Sequence, residues 1–374
     1  MRFLLSGVLF VASTLGWGQS TFTIPLTKAN STLALPSMAE HDGVVYAAYR
    51  SFDLLRFSNQ LQVVAYDLNT HKELQHVVIS VPKVHGARAS EGLYISEDGQ
   101  TLAYAELHDP GLILLLAAKN LAEIKRSTAL PFAAQDYERM FAGFDGDQLC
   151  MASNSYELGK PNLEGLRFIR LRISDLKPSS DTKISGLPQE HPGSIVWLPR
   201  AKLTWVVRGP VWKQYTESGQ PTGQEFEHVN AISQGAIPLG GTKLLAFFGN
   251  YADGSVISYA DHHPSELKLQ CVPHPYGTSP DPAYAGAICT TEKDVLPEAW
   301  GKKLLSSQFM LIKADDPKII WHHDMDFLGV ADGNEPDTGF QRGNPLLYRA
   351  GSRLLVVAPS KAPTLTVYEI DAPP

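Results

Sequence analysis

The sequence predicts an all-β fold, a single seven-bladed β-propeller closed by a strand from its own N-terminus, and three observations predict it. Alternating apolar residues run repeatedly into an acidic or Asn turn, first at Val63-Val64-Ala65-Tyr66-Asp67-Leu68-Asn69-Thr70 and then at Asn120, Asp175, Glu217, Asp261, Asp315 and Asp371. These turns lie 42 to 56 residues apart, about 51 on average, which is the length of a four-stranded blade. A second series, Asp42-Gly43, Asp98-Gly99, Asp145-Gly146, Gly240-Gly241 and Ala350-Gly351, separates pairs of strand-like runs with residues that accept positive φ. The chain also ends straight after the third strand of its seventh copy, while Thr21 to Leu26 is an alternating segment left over before the first. Pairing the two would supply the missing outer strand and remove two open sheet edges. Six blades with one enlarged insertion is the structural alternative, because the stretch from Ala134 to Pro188 is long.

Taken in chain order, Arg2, the apolar stretch Phe3 to Leu15 and the small residues of Gly16-Trp17-Gly18 read as a cleavable signal peptide over residues 1–18, with the propeller over 19–374. The apolar stretch is too short to span a bilayer, and Leu112 to Ala118 reads as a buried strand instead. The mature chain is therefore expected to be secreted or periplasmic, without membrane insertion. Tyr66-Asp67-Leu68-Asn69-Thr70-His71-Lys72-Glu73-Leu74 resembles the outer-strand turn of YVTN-type and quinoprotein-like propeller repeats, in which a Gly is usual where His71 stands. This resemblance implies the architecture and carries no catalytic residue over.

A net charge of -7 and a pI near 5.9 argue against sequence-independent nucleic-acid binding, which needs a basic face to displace counterions. Of three cysteines, Cys271 and Cys289 are close enough in sequence to form one disulfide in an oxidising compartment, and Cys150, in the apolar run Gln148 to Met151, reads as a packing thiol.

In a propeller the blade-to-blade segments and the loops from second to third strands share one face, and the tight hairpins share the other. Ser51 to Asn59, Asn154 to Gly165, Pro273 to Tyr284 and Gly329 to Pro345 are read as long loops of the first class, and long loops on a rigid scaffold usually carry binding. Blade-to-blade segments are expected to bring polar residues to the channel mouth: His85, Arg88 and Glu91; Arg139; His191; His228 and Asn230; Tyr284; and Gln341, Arg342 and Asn344. Arg forks hold carboxylates, His transfers protons, and Asn and Gln fix orientation, so such a ring suits a small polar or anionic ligand.

His322 and His323 are adjacent on a strand and so face opposite ways, which argues against one shared ion. No cofactor is predicted, and a divalent metal in the channel stays open. Nucleophile-elbow, zinc-protease and phosphate-loop motifs are absent from the sequence. The leading expectation is a monomeric binding module for a protein partner or a small polar ligand. The alternative is a propeller hydrolase, lyase or lactonase with a His, Arg and carboxylate site at the channel mouth.

Overall fold

The computed structural model describes residues 19–26, 36–53, 58–83, 85–109, 111–128, 139–154, 166–184, 195–198, 201–208, 211–227, 232–238, 244–250, 255–260, 263–268, 272–274, 284–293, 303–313, 318–331, 346–359 and 364–371. Among them lie seven four-stranded antiparallel sheets and no helix. The first blade is Ser37–His41, Val44–Asp53, Ser58–Asp67 and Lys72–Ser80, each strand beside the next in sequence. The second to sixth blades occupy residues 85–127, 139–184, 195–227, 232–268 and 272–331 in the same order. The stretch weighed above as an insertion thus holds a sheet of its own, Arg139–Asp145, Gln148–Asn154, Leu166–Arg172 and Pro178–Ile184.

The seventh blade is Leu346–Ala350, Arg353–Pro359 and Thr364–Asp371, and its outermost strand is the N-terminal Gln19–Pro25. These two ends of the chain pair without a slip from Gln19 opposite Ile370 to Pro25 opposite Thr364. Ile24 from this strand is 1% exposed and joins Val357, Leu365 and Val367 against Val45 and Val64 of the first blade.

The core lies between neighbouring blades, which explains why several strands are apolar on both faces. In the second blade, Leu102, Tyr104, Leu112 and Leu114 pack on Ala48, Leu61, Val63 and Ala65 of the first. Their alternating neighbours Ala103, Ala105, Ile113 and Leu115 pack on Phe144, Leu149, Met151 and Ile169 of the third. A strand squeezed from both sides reads as an unbroken apolar run, and Leu112–Ala117 is buried accordingly. Each such Leu, Ile, Val, Met or Phe side chain contributes about 1.5–3 kcal/mol on leaving water. The first strands of neighbouring blades adjoin one another: Ser37–His41 lies beside His85–Ile95 and Leu346–Ala350, and His85–Ile95 beside Arg139–Asp145. They are the innermost strands, lining the channel.

Local chemistry accounts for the repeated turn residues. Asp67 accepts the main-chain N–H of Asn69 at 2.8 Å and of Thr70 at 3.2 Å, and its other oxygen takes the Thr70 hydroxyl. Asn120 and Asp175 hold the N–H two residues on in the same way, at 3.1 Å each. His71 has φ +56°, which is why Gly is common there in similar repeats; its ring stacks on Phe22 of the closing strand at 3.9 Å. Asp42 and Gly43, at φ +50° and +81°, make the tight hairpin that the sequence pattern indicates.

Candidate functional site at the channel mouth

The strand order separates two faces. Hairpins joining first to second and third to fourth strands, such as residues 42–43, 68–71, 146–147 and 351–352, share one. At the opposite face lie the strand ends that lead into second-to-third and blade-to-blade connections, such as Asn154, Leu166, Ile184 and Leu346. Two loop readings need correction. The ladder runs on through Phe52 opposite Asn59 and Asp53 opposite Ser58, so cross-strand pairing consumes most of the expected loop Ser51 to Asn59. Pro273 to Tyr284 joins the first strand of the sixth blade, Val272–His274, to the second, Tyr284–Lys293, and so belongs to the hairpin face. Tyr284 consequently heads a second strand and is 6% exposed among Phe309, Leu311, Leu347 and Val356; it packs between the sixth and seventh blades.

At the long-connection end of the channel the most irregular described segment is His85–Ile95, the innermost strand of the second blade. Its pairing jumps from His85 opposite Asp109 to Ser90 opposite Leu107. Residues Gly86, Ala87, Arg88 and Ala89 therefore have no counterpart in the ladder beyond the single residue His108 between those partners. Below the bulge the strand returns to register with Glu91 opposite Glu106. A smaller shift between Ser233 and Gly235 sets Gln234 out of the ladder on the innermost strand of the fifth blade. Bulges re-aim side chains and are frequent beside binding and active sites.

Buried polar groups fix the base of this segment. Arg50 of the first blade forms a bidentate ion pair with Glu106 of the second, and the two residues are 3% and 0% exposed. Tyr104 donates its hydroxyl to the same carboxylate at 2.6 Å, and Arg50 also donates at 3.0 Å to the carbonyl of Pro82, in the segment that leads to His85. Two charges and a hydroxyl out of water are tolerable because each is satisfied by the others. On the other side, the partly buried Tyr94 is hydrogen-bonded to the main chain of Ala142 in the third blade, and desolvation of its hydroxyl pushes the pKa up to about 12. Gly92 leaves room for that ring, since a Cβ there would strike the Tyr94 hydroxyl.

His85, Arg88 and Glu91 thus lie on the innermost strand of the second blade, and Arg139 opens the innermost strand of the third, opposite Asn154. They sit on the strands themselves, where the sequence put them just ahead. His191, His228, Asn230, Gln341, Arg342, Asn344 and Cys271 lie outside the described residues, and the backbone of Cys289 is opposite Pro273. Cys150 is buried, with burial raising its thiol pKa to about 12 against the opposing pull of Arg170, whose guanidinium lies 3.1 Å from the sulfur. That environment suits packing, not nucleophilic attack. His322 is exposed, whereas His323 stacks with Trp321 at 5.7 Å, so the two do diverge. Among the described residues no group of three or more His, Cys, Asp or Glu is placed to hold a metal ion. Trp205 and Trp212 are 3% and 0% exposed and pack in the fourth blade.

Sequence reasoning missed Arg50, Glu106 and Arg170. Arg170 ties Asp145 of its own blade to Glu217 of the fourth. The available signal was a charged residue inside an otherwise apolar strand, as in Tyr104-Ala105-Glu106-Leu107.

No protein-family model matches the chain, and no curated protein matches it. Solved structures similar to it are propellers. A chain of the mitotic checkpoint complex aligns with a TM-score of 0.53 at 11% identity, covering 99% of each chain. The β-propeller domain of Cps50 (Swd1) from Myceliophteria thermophila aligns with a TM-score of 0.53 at 9% identity, covering 93% of this chain and 99% of that one. BamB from Moraxella catarrhalis gives 0.45 at 12% identity, covering 93% and 97%. At such identities the likeness concerns fold alone. Sheet order, closing strand and the two alignments at a TM-score of 0.53 together establish the chain as a β-propeller.

Proposed function

We propose that this chain is an exported β-propeller, with residues 1–18 as its leader and 19–374 as the mature domain, that acts as a binding module for a protein partner or a small polar ligand. Its binding surface is the long-connection face and the channel mouth. The observation that carries this reading is the bulge at residues 86–89, a break in an innermost strand held from beneath by a fully satisfied, buried ion pair. Stability alone gives no reason to open a ladder at the mouth of the channel, since each unpaired main-chain group forfeits a hydrogen bond. A rigid base under an irregular, small-residue rim is how binding surfaces are preorganised. His85, Arg88, Glu91 and Arg139 lie on that rim, and His191, His228, Asn230, Gln341, Arg342 and Asn344 complete the ring in this proposal.

The test is a thermal-shift screen of the mature chain against small carboxylates, lactones, oligosaccharides and divalent metals with chelator controls. A ligand at about a hundred times its dissociation constant adds roughly 2.7 kcal/mol to the stability of the folded chain. Selective stabilisation that disappears in Arg88→Ala supports the reading, and turnover of a bound ester or lactone would redirect it to the hydrolase alternative. Stabilisation indifferent to Arg88→Ala and to Arg139→Ala overturns a site at this mouth.

A further inference from the structure

We infer that the outer edge of the closing strand Gln19–Pro25 is a self-association surface, on which the same strand of a second copy pairs antiparallel and joins two propellers through one continuous sheet. This surface lies on the rim, apart from the channel mouth, and it departs from the monomer expected of the sequence. Gln19–Pro25 is the last strand of the seventh sheet: Thr364–Asp371 occupies one side of it, and no strand among the described residues pairs with the other. Alternate residues of an outermost strand turn their N–H and C=O groups outward, where they form a template for another strand.

Every blade ends in such an edge, but the other six are blunted and this one is not. The outermost strands Lys72–Ser80, Glu123–Ser127, Pro178–Ile184, Pro221–Glu227, His263–Lys268 and Lys318–Ala331 each carry at least two charged residues. Five of them, all but His263–Lys268, also pair with a shifted register. Charges and bulges of this kind discourage edge-to-edge pairing. Gln19-Ser20-Thr21-Phe22-Thr23-Ile24-Pro25 has no charged residue and no register shift, and its Pro stands at the last position. The seventh sheet is also the one that already takes a strand with no hairpin connecting it.

An independent observation puts an apolar border beside this edge. Phe22 stacks on His71, in the turn that leads to the outer strand of the first blade. That strand and its counterpart in the second blade carry the exposed large apolar side chains found among the described residues: Leu74 at 47%, Val78 at 51% and Ile124 at 50%. Register sets Val78 on the same face of the first sheet as Val64, the face turned to the seventh blade.

A second copy is the occupant that the edge itself specifies. Antiparallel pairing about a two-fold axis through Phe22 sets Thr21 opposite Thr23 and Ser20 opposite Ile24, so no charge meets its like. The same operation on Glu123–Ser127 would set Lys125 against Lys125. A seam of seven residues is small beside the about 1,200–2,000 Å² of stable interfaces, so the association is weak and depends on concentration.

The experiment is analytical ultracentrifugation of the mature chain from about 1 to about 200 μM, with backbone amide exchange read at both ends of that range. A monomer–dimer equilibrium is expected, with slower exchange of amides within residues 19–25 at the higher concentration. Thr21→Lys and Thr23→Lys, both at exposed positions, are expected to raise the dimer dissociation constant about tenfold or more by setting like charges across the seam. Gln224→Lys, on the outer strand of the fourth blade, is expected to leave it unchanged. A monomer throughout the range overturns the inference. So does a dimer that keeps its affinity in both variants, or one that leaves the amides of residues 19–25 exchanging as in the monomer. The exchange measurement uses the parent chain and is independent of how the variants fold. A ligand bound at the channel mouth is compatible with each of these results, so the binding-module reading stands or falls separately.

Discussion

Replacing Glu40 with Gln should flatten the pH dependence of stability and strengthen the chain at alkaline pH. Glu40 lies on the innermost strand of the first blade and accepts the Gly43 N–H at 2.8 Å. Burial outweighs that hydrogen bond and the attraction of His41, with Asp42 adding repulsion, and the pKa rises from 4.5 to about 7. The other titratable groups facing it are Tyr46 on the next strand and Tyr348 on the seventh blade. A carboxyl whose pKa is higher folded than unfolded binds its proton more tightly in the native state, so ionisation works against folding. Below about pH 4.5 there is no cost; between about 4.5 and 7 the cost grows; above about 7 it is complete. Two and a half pKa units correspond to a ceiling of about 3.4 kcal/mol, and because Glu40 is only partly buried, solvent screening reduces this to about 1–2 kcal/mol. The amide of Gln keeps an acceptor for Gly43 and carries no charge. Denaturant unfolding from pH 4.5 to 8 should show the parent chain losing about 1–2 kcal/mol relative to Glu40→Gln, with the two curves meeting at the acid end. Parallel curves across that window would refute the reasoning.

Further outcomes follow from other groups. Removing one member of the buried pair, by Arg50→Met or Glu106→Gln, should cost about 3–5 kcal/mol in denaturant unfolding, and the double variant should recover part of that loss; additive losses would mean that the pair does not act as a unit. Thr204 is 0% exposed and its hydroxyl has no hydrogen-bond partner among the described residues, so Thr204→Val should be neutral or stabilise by up to about 1.5 kcal/mol, read from the unfolding midpoint. Lys202 is exposed with φ +55°, and Lys202→Gly should raise stability by about 0.5–1 kcal/mol, with a fall in melting temperature as the contrary result. Ile24→Ala should cost about 2–4 kcal/mol, because the closing strand would lose its most buried anchor.

Architecture was legible because blade chemistry is local. Asp67, Asn120 and Asp175 recur because a short acceptor must cap the same turn in each copy, and Gly43, Gly99, Gly146 and Gly351 recur because each hairpin passes through positive φ. Even the closing strand was inferable, from an unmatched alternating segment at one end and a missing strand at the other. The site was less legible. Arg50 and Glu106 are 56 residues apart on different blades, and no linear spacing connects them. Tyr284 was misplaced because Pro273 to Tyr284 resembles a blade-to-blade loop in composition, while strand order alone decides which face it joins. Arg88 was singled out for its charge, but the bulge that gives it context arises from a mismatch in strand length that only pairing reveals.

The joining of Gln19–Pro25 to Thr364–Asp371 also sets the order of events during folding. Ser20 and Glu369, hydrogen-bonded across this seam, are 349 residues apart, so the earlier strand must wait for one synthesised far later. Bringing such distant segments together costs about 5 kcal/mol of chain entropy by the logarithmic loop law. Six blades can assemble from near neighbours in sequence, whereas the seventh requires both Gln19–Pro25 and Thr364–Asp371. Ring closure is therefore the late, slow step, and until it occurs both Thr364–Asp371 and the waiting N-terminal strand present open edges to any other extended chain nearby.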